Sequence, residues 1–573
     1  MVSSFPEIGD QPEVVDATAS YHFDEEQFAR AVAYGQACDV EAGEMLFEVG
    51  DDDVDLILVE TATIDLVRTA PPGSDSDSGS DSDSDSGSGE ELLMRCGPGQ
   101  FVGELNLLTG QTRILSARVA GPGVVHRIDQ AAFRRLMAQD AELSDVLLRG
   151  FLARRQLLTE GAAANLEVIA DVRSGAGLAL ETFLDRQSLP HRWVDSASPA
   201  GEVALTAAGL TRDDVPVVVT PRARMTRVNP GVLSQSLGLT YRRTPKGVAD
   251  LTIAGAGPAG LAAAVYGASE GLETVLLDAV ATGGQAAASS RIENYLGFPF
   301  GLSGAALASR AVVQALKFGA HLGSPCGVVS LRPDGPRHLV TLVDGTEIRS
   351  RAVLVATGAA YRNLPLERWA DFVGSGIYYA ATELEARGVA GQPVTVIGGA
   401  NSAGQAAIYL ARHAGHVTLA VRGKDLAAGM SNYLVERILA DPRITVQTST
   451  EVTALHGDHR LEQITLTDRV AGEAEACGCF GLFCFIGATP ATDWLTGVTL
   501  DGDGFIPTDV QLTGDLGARW SAAGRGPLPF ETSVPGVFAA GDVRAGSMKR
   551  VAAAVGEGAS AVRSVHQALA AQP

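Results

Sequence analysis

ADLTIAGAGPAGLAAAVYGASEGLETVLLDA, residues 249–279, decides how the second half of this chain folds. It opens as an apolar strand, ends in GAGPAG at 255–260, and passes at once into an Ala-rich helix. Gly255 permits the tight turn, Gly257 lets the backbone approach a pyrophosphate, and Gly260 allows close helix–strand packing. Pro258 and Ala259 complete the loop at the helix start. A pyrophosphate then sits on the helix N-terminus, where free N–H groups and the dipole favour it. A second strand, TVLLD, ends at Asp278, about 20 residues on, where an acid can bind ribose hydroxyls. Strand, loop, helix and acid in this order predict a dinucleotide site.

A second unit follows in QPVTVIGGANSAGQAAIYLARHAGHVTLAVRGKDL, residues 392–426. Gly398, Ala400 and Ala403 take the three small-residue positions, with Asn401 and Ser402 between them at the helix start. Ala400 at the middle position is a departure, because its methyl group crowds the approach of a pyrophosphate. The next strand ends in Val421 followed by Arg422, Gly423 and Lys424, with no acid. Basic groups there suit the 2′-phosphate of NADP rather than the free hydroxyl of NAD. The alternative is a solvated loop on which Arg422 and Lys424 merely lie.

Two nested units of this kind set the fold class: α/β, with two nested dinucleotide-binding (Rossmann-like) domains. The boundaries read as one dinucleotide-binding domain at 248–368 and 489–573, interrupted by a second at 369–488. The chain has 573 residues, too many for one core. With 46% hydrophobic and 19% charged residues, most of it should fold. A formal net charge of −23 argues against a nucleic-acid partner. No apolar run approaches about 18 residues, which argues against a membrane span. The first 20 residues are polar, lack a signal-peptide pattern and read as a disordered tail. The six cysteines (Cys38, Cys96, Cys326, Cys477, Cys479 and Cys484) form no disulfide framework and no CxxC, which fits a reducing cytoplasm.

The whole series of motifs resembles the thioredoxin reductase-like branch of the two-dinucleotide flavoprotein reductases. The resemblance rests on GAGPAG, on GGQAAASSRIENYLGFPFGLSG at 283–304, on VLVATGA at 353–359, and on GGANSAGQAAIYL. It continues in FCFIGATPATDWL at 483–495 and in VPGVFAAGDVRAGSMKRVAAAVGEGASAV near the C-terminus. It implies FAD and NADPH as cofactors. It places Gly283, Gly284, Gln285 and Asn294 against the flavin, with Ala356, Thr357 and Gly358 in the same site. Gly541 and Asp542 would contact the ribityl chain. Lys549, Arg550 and Val551 would open a helix whose N-terminal end faces the flavin pyrimidine, where reduced flavin carries negative charge. A homodimer is implied too.

The family's dithiol is missing. Its G-V-x-Y-C-A-T-C stretch matches GIYYAATE at 376–383, with Ala380 and Glu383 at the thiol positions. Without a dithiol beside the flavin the usual relay to thioredoxin cannot run. Cys477 and Cys479, two apart in alternating β structure, are the remaining candidate pair, set against buried structural cysteines.

Upstream of 248 lie three further parts. Residues 21–128 alternate short apolar segments and turns, and read as a mainly-β jelly-roll module. It is interrupted by an acidic Ser/Asp tract at 74–89, which cannot bury apolar area; the regular spacing of a calcium loop is missing, so a disordered linker is expected. FVGEL at 101–105, with Arg113 nine residues after Glu104, resembles the phosphate cassette of cyclic-nucleotide-binding domains. There Gly103, Glu104 and Arg113 would meet ribose and cyclic phosphate. Ile114 and Leu115 replace the usual small residues and should crowd the site. Residues 129–163 read as a helical connector. Residues 164–243 read β-α-β-α-β-β-α and resemble a small thioredoxin- or glutaredoxin-like α/β module without cysteines.

Three readings follow: an FAD-dependent NADPH oxidoreductase with an unidentified acceptor, a disulfide reductase working through a partner's thiols, or a sensor regulated through the N-terminal module. The acceptor classes left open are a redox protein such as ferredoxin, a quinone, oxygen, a small molecule and a protein disulfide. No side chain need act as acid or base, because the cofactors carry the chemistry, and no metal site is expected.

Overall fold

A computed structural model of the chain describes residues 21–51, 55–69, 90–111, 113–163, 166–171, 174–187, 189–220, 223–242, 247–287, 289, 292, 295–373, 375–379, 381, 383–458, 460–513 and 518–571. The polar tail, the Ser/Asp tract, Asn294 and Ala380 lie outside the described residues. The chain divides into two compact units: Met1–Gly358 with Thr492–Asp501 and Phe505–Pro573, and Ala359–Ala491 with Gly502–Gly504.

The first unit opens with helix Glu25–Val32, capped by a reciprocal box between Asp24 and Gln27. A roll of two four-stranded antiparallel sheets follows. One sheet runs in the order Gln36–Val40, Gly123–Ile128, Leu56–Val59, Phe101–Val102. The other runs Met45–Phe47, Ser116–Gly121, Thr63–Thr69, Glu90–Cys96. Strand Leu56–Val59 is buried at every position because its two faces serve different cores. Ile57 and Val59 point into the roll with Ile64 and Val102, whereas Leu56 and Leu58 join Phe101, Phe133 and Phe151 under the helices. Helices Gln130–Gln139 and Ala141–Ala163 supply that cover.

The elements between 166 and 237 follow the predicted order. Their sheet runs His191–Asp195, Leu166–Ala170, Val217–Val219, Arg224–Met225, with only the first pair parallel. The Val215–Pro216 peptide before the third strand is cis. Strand Tyr241–Arg242 leaves this sheet and pairs with His321–Ser324 at the edge of the next.

That next sheet holds five parallel strands in the order His321–Ser324, Thr274–Leu277, Ala249–Ala254, Glu347–Val355, Val537–Ala539. The last comes from the far side of the second unit in sequence. Helices Pro258–Ser269 and Val551–Ala570 pack together on it. One hydrophobic cluster runs from Phe101 and Leu147 through Tyr241 to Leu251, Leu354 and Val565, so the N-terminal parts share a core with this sheet. No helix among the described residues is long and apolar enough to cross a membrane.

The second unit carries a five-stranded sheet, parallel throughout: Ile377–Tyr378, Leu482–Cys484, Pro393–Ile397, His416–Val421, Ile444–Thr448. Thr450–His456, Gln463–Asp468 and Ala474–Gly478 form an antiparallel layer. Ala359–Tyr361 pairs with Ala488–Pro490 where the chain enters and leaves.

Candidate functional site

The first glycine loop has the backbone its sequence demands. Gly255 sits at φ +106° and donates from its amide to Leu277 O at 2.7 Å. A side chain there would meet Ala356 O at 2.3 Å as well as adopting a left-handed conformation. A Cβ on Gly260 would come within 1.8 Å of Gly255 O, so helix Pro258–Ser269 lies directly on its strand. Gly257 is different: a Cβ would meet nothing nearer than Gly284 Cα at 3.8 Å. The space over this helix N-terminus is open, and its first amides lack intrahelical acceptors. That geometry is compatible with a pyrophosphate, and the residues fit FAD.

The surrounding loops converge on the same crevice. Gly283 donates to Ala256 O at 2.7 Å, and Gly284, at φ +58°, leaves only 2.8 Å between a would-be Cβ and Gly257 Cα. Gln285 follows in the short helix Gly284–Ala287. Ala356 donates to Ala254 O at 2.7 Å, and Thr357 and Gly358 carry the chain out of the strand. Asp278 is buried and already engaged: Oδ2 accepts from Ala256 N at 2.9 Å, and Oδ1 accepts from Val280 N and Ala281 N at 3.0 Å each. The expected ribose ligand thus also braces the glycine loop.

Beside the start of helix Pro258–Ser269, Gly541 and Asp542 form the turn Gly541–Val543, where a Cβ on Gly541 would meet Ala259 Cβ at 2.9 Å. Glu557, from helix Val551–Ala570, accepts from Gly541 N at 2.8 Å and pairs with Arg544 at 2.6 Å and 3.1 Å. Burial pushes the Asp542 carboxyl up to about 6; Lys549 opposes the rise and Glu557 adds to it. Lys549 lies 4.5 Å over the Phe505 ring, Arg550 is the N-cap, and Val551 is the first helical residue. Gly558 has no slack, since a Cβ would be 2.0 Å from Ala259 O. Glu557 and Gly558 were not singled out from sequence, although a lone acid beside a glycine in an Ala-rich helix is the trace that close packing leaves.

In the second unit Gly398 adopts φ +143°, with Phe485 O 2.5 Å from a would-be Cβ. Ala400 is the N-cap of helix Asn401–Leu410, and Ala403 is fully buried beneath it. Asn401 Oδ1 accepts from Ser431 N at 2.8 Å, tying the helix start to the loop before Asn432–Ala440, while Ser402 is exposed. Arg422 and Lys424 are exposed just beyond strand His416–Val421. This arrangement fits a second dinucleotide. Burial pushes the Cys479 thiol up to about 11 and raises those of Cys484 and Cys477, and all six cysteines are free.

In the N-terminal cassette, Gly103 stands at φ +102° with Asp55 O 2.3 Å from a would-be Cβ. Glu104 is fully buried, with Oε2 bound by Arg154 of the long helix; Arg154 also donates to Phe101 O. Arg113 is buried over the Phe47 ring, 3.6 Å from its centroid. Ile114 does not turn into the cassette as expected: its Cδ1 lies where a Gly238 side chain would be, beside Leu158. Arg155 donates to Leu239 O at 3.1 Å and covers the Tyr241 ring. Arg154 and Arg155 had no signal in the sequence, because both act across module boundaries.

Residues 249–558 match the family model for pyridine nucleotide-disulphide oxidoreductases, and residues 38–140 match that for cyclic nucleotide-binding domains. The chain is 33% identical over 316 residues to a thioredoxin reductase of Treponema pallidum, covering 55% of this chain and 95% of the relative. It is 34% identical over 326 residues to one of Streptomyces clavuligerus, covering 56% and 95%. A solved thioredoxin reductase from Giardia duodenalis shares the fold at 23% identity and a TM-score of 0.50, covering 57% of this chain and all of that one. The two glycine-loop crevices therefore lie inside the matched segment, and the chain belongs to the pyridine nucleotide-disulphide oxidoreductase family.

Proposed function

We propose that this chain is an FAD-dependent NADPH oxidoreductase that passes electrons to an external acceptor without a dithiol of its own. The observation that carries it is the open cradle at Gly257, in a chain with Ala380 and Glu383 where the relatives' branch has thiols. Bound FAD would supply the hydride and electron-transfer chemistry, with the nicotinamide as hydride source. The protein supplies position and electrostatics. Glu557 holds the Gly541 amide, which fixes the turn that presents Asp542. The N-terminus of helix Val551–Ala570 would favour negative charge on a reduced flavin held beside it. Arg422 and Lys424 suit a 2′-phosphate.

Raised thiol pKa values at Cys477, Cys479 and Cys484 support the absence of an internal relay, since only thiolates exchange. A redox protein, including one whose own disulfide reaches the flavin, fits as acceptor, and a homodimer in a reducing cytoplasm fits the enzyme. The test is anaerobic mixing with NADPH: the flavin absorbance should bleach, and a spectrum that never bleaches ends the reading.

A second reading, regulation through the N-terminal module, is favoured by the path from the cassette to the flavin sheet. Gln111, with its amide turned to satisfy it, donates to Gly238 O and Thr240 O, next to the edge strand Tyr241–Arg242. Calorimetry with cyclic AMP and cyclic GMP decides it, and absence of heat with both removes it.

A further inference from the structure

We propose that Arg186, carried by the α/β module that precedes the family segment, is a positioning residue for the adenosine ribose of FAD. The inference rests on the FAD reading above. Asp278 stands at the carboxyl end of strand Thr274–Leu277, the rim where parallel sheets bind ligands. Arg186 is the last residue of helix Gly175–Arg186. Its Nη1 lies 3.4 Å from Asp278 Oδ1 and donates to Ala281 O at 3.1 Å. The contact is built into a core. Val280 and Ala281 pack with Leu180, Phe183 and Leu184 of the module, and Ala281 is 1% exposed.

The chemistry of the pair suits a vicinal diol. Asp278 Oδ1 is saturated by two amides and the guanidinium, whereas Oδ2 accepts from Ala256 N alone and keeps a lone pair. The Arg186 Nε and Nη2 make no hydrogen bond among the described residues, and the side chain keeps 18% of its exposure. One ribose hydroxyl then donates to Asp278 Oδ2 while its neighbour accepts from Arg186. The guanidinium also places a positive charge beside a carboxylate that is 9% exposed. The appended module thereby contributes to a flavin site that the family segment alone does not complete.

The full-length apoprotein, Arg186→Gln and Arg186→Lys are titrated with FAD and with FMN, which lacks the adenosine, and followed by quenching of flavin fluorescence. Arg186→Gln should weaken FAD about tenfold, the size of one charge-assisted hydrogen bond. FMN affinity should not change, and Arg186→Lys should recover most of the loss. Unchanged FAD affinity in Arg186→Gln overturns the proposal. So does a parallel loss of FAD and FMN with earlier unfolding by circular dichroism, which marks a scaffold role. A wild-type protein that takes up neither flavin overturns the FAD reading itself, and the proposal with it.

Discussion

Replacing Asp542 by asparagine should stabilise the apoprotein, and by more at alkaline than at acidic pH. Burial holds this carboxyl at about 6 in the folded chain, against the ordinary 3.8. The folded state therefore binds the proton more tightly than the unfolded one. Whatever stability the group lends is complete below pH 3.8 and is lost as pH rises through 6. The gap of about 2 units, at roughly 1.36 kcal/mol each, makes the penalty about 3 kcal/mol once both states are ionised. Asparagine keeps the shape and has no charge to desolvate. Urea unfolding of the two apoproteins, followed by tryptophan emission, should favour the variant by about 2 kcal/mol at pH 5.5 and about 3 kcal/mol at pH 8. A variant no more stable than wild type, or one whose advantage shrinks with rising pH, would refute the reasoning. Under the FAD reading proposed above, the same substitution should also weaken FAD, because a charged acceptor becomes a neutral amide.

Three further outcomes are expected. Gly257→Ala should leave the stability of the apoprotein within about 0.5 kcal/mol of wild type, since the methyl makes only an ordinary contact with Gly284 Cα at 3.8 Å, yet cost at least about tenfold in FAD affinity; equal losses in both would show the space to be structural. Glu531→Ala should cost about 3–5 kcal/mol in thermal unfolding, because the fully buried Glu531 holds Arg525 at 2.6 Å and 2.8 Å and accepts from Leu528 N and Gly536 N. Replacing Arg422 and Lys424 together by alanine should raise KM for NADPH about tenfold and leave NADH unchanged. A uniform rise for both coenzymes would remove their role in discrimination.

Local chemistry was readable and distant chemistry was not. Gly255 and Gly398 announce themselves because a left-handed turn between strand and helix leaves few alternatives to glycine. The two faces of Leu56–Val59 follow from period two once layers are assumed on both sides. By contrast, Asp278 is legible as an acid at a strand end but not as the brace of its own loop, because its partners arrive from the tertiary turn and from another module. Ile114 shows the limit most plainly. Judged against its cassette it is too large, but judged against Gly238 it is the side chain that fills a gap left for it. Arg154, too, is one of two adjacent arginines on a long helix until Glu104 is placed beside it.

The discontinuous sheet also sets a clock. Strand Glu347–Val355 is synthesised well before Val537–Ala539, the neighbour it pairs with, and helix Val551–Ala570 comes later still. At about 5–20 residues per second, Val353–Val355 wait on the order of 10–40 s for their partner while the second unit emerges. The turn Gly541–Val543 follows strand Val537–Ala539 in sequence and is made after it. A nascent chain that stalls before Val537 is left with Val353–Val355 as an unpaired parallel edge.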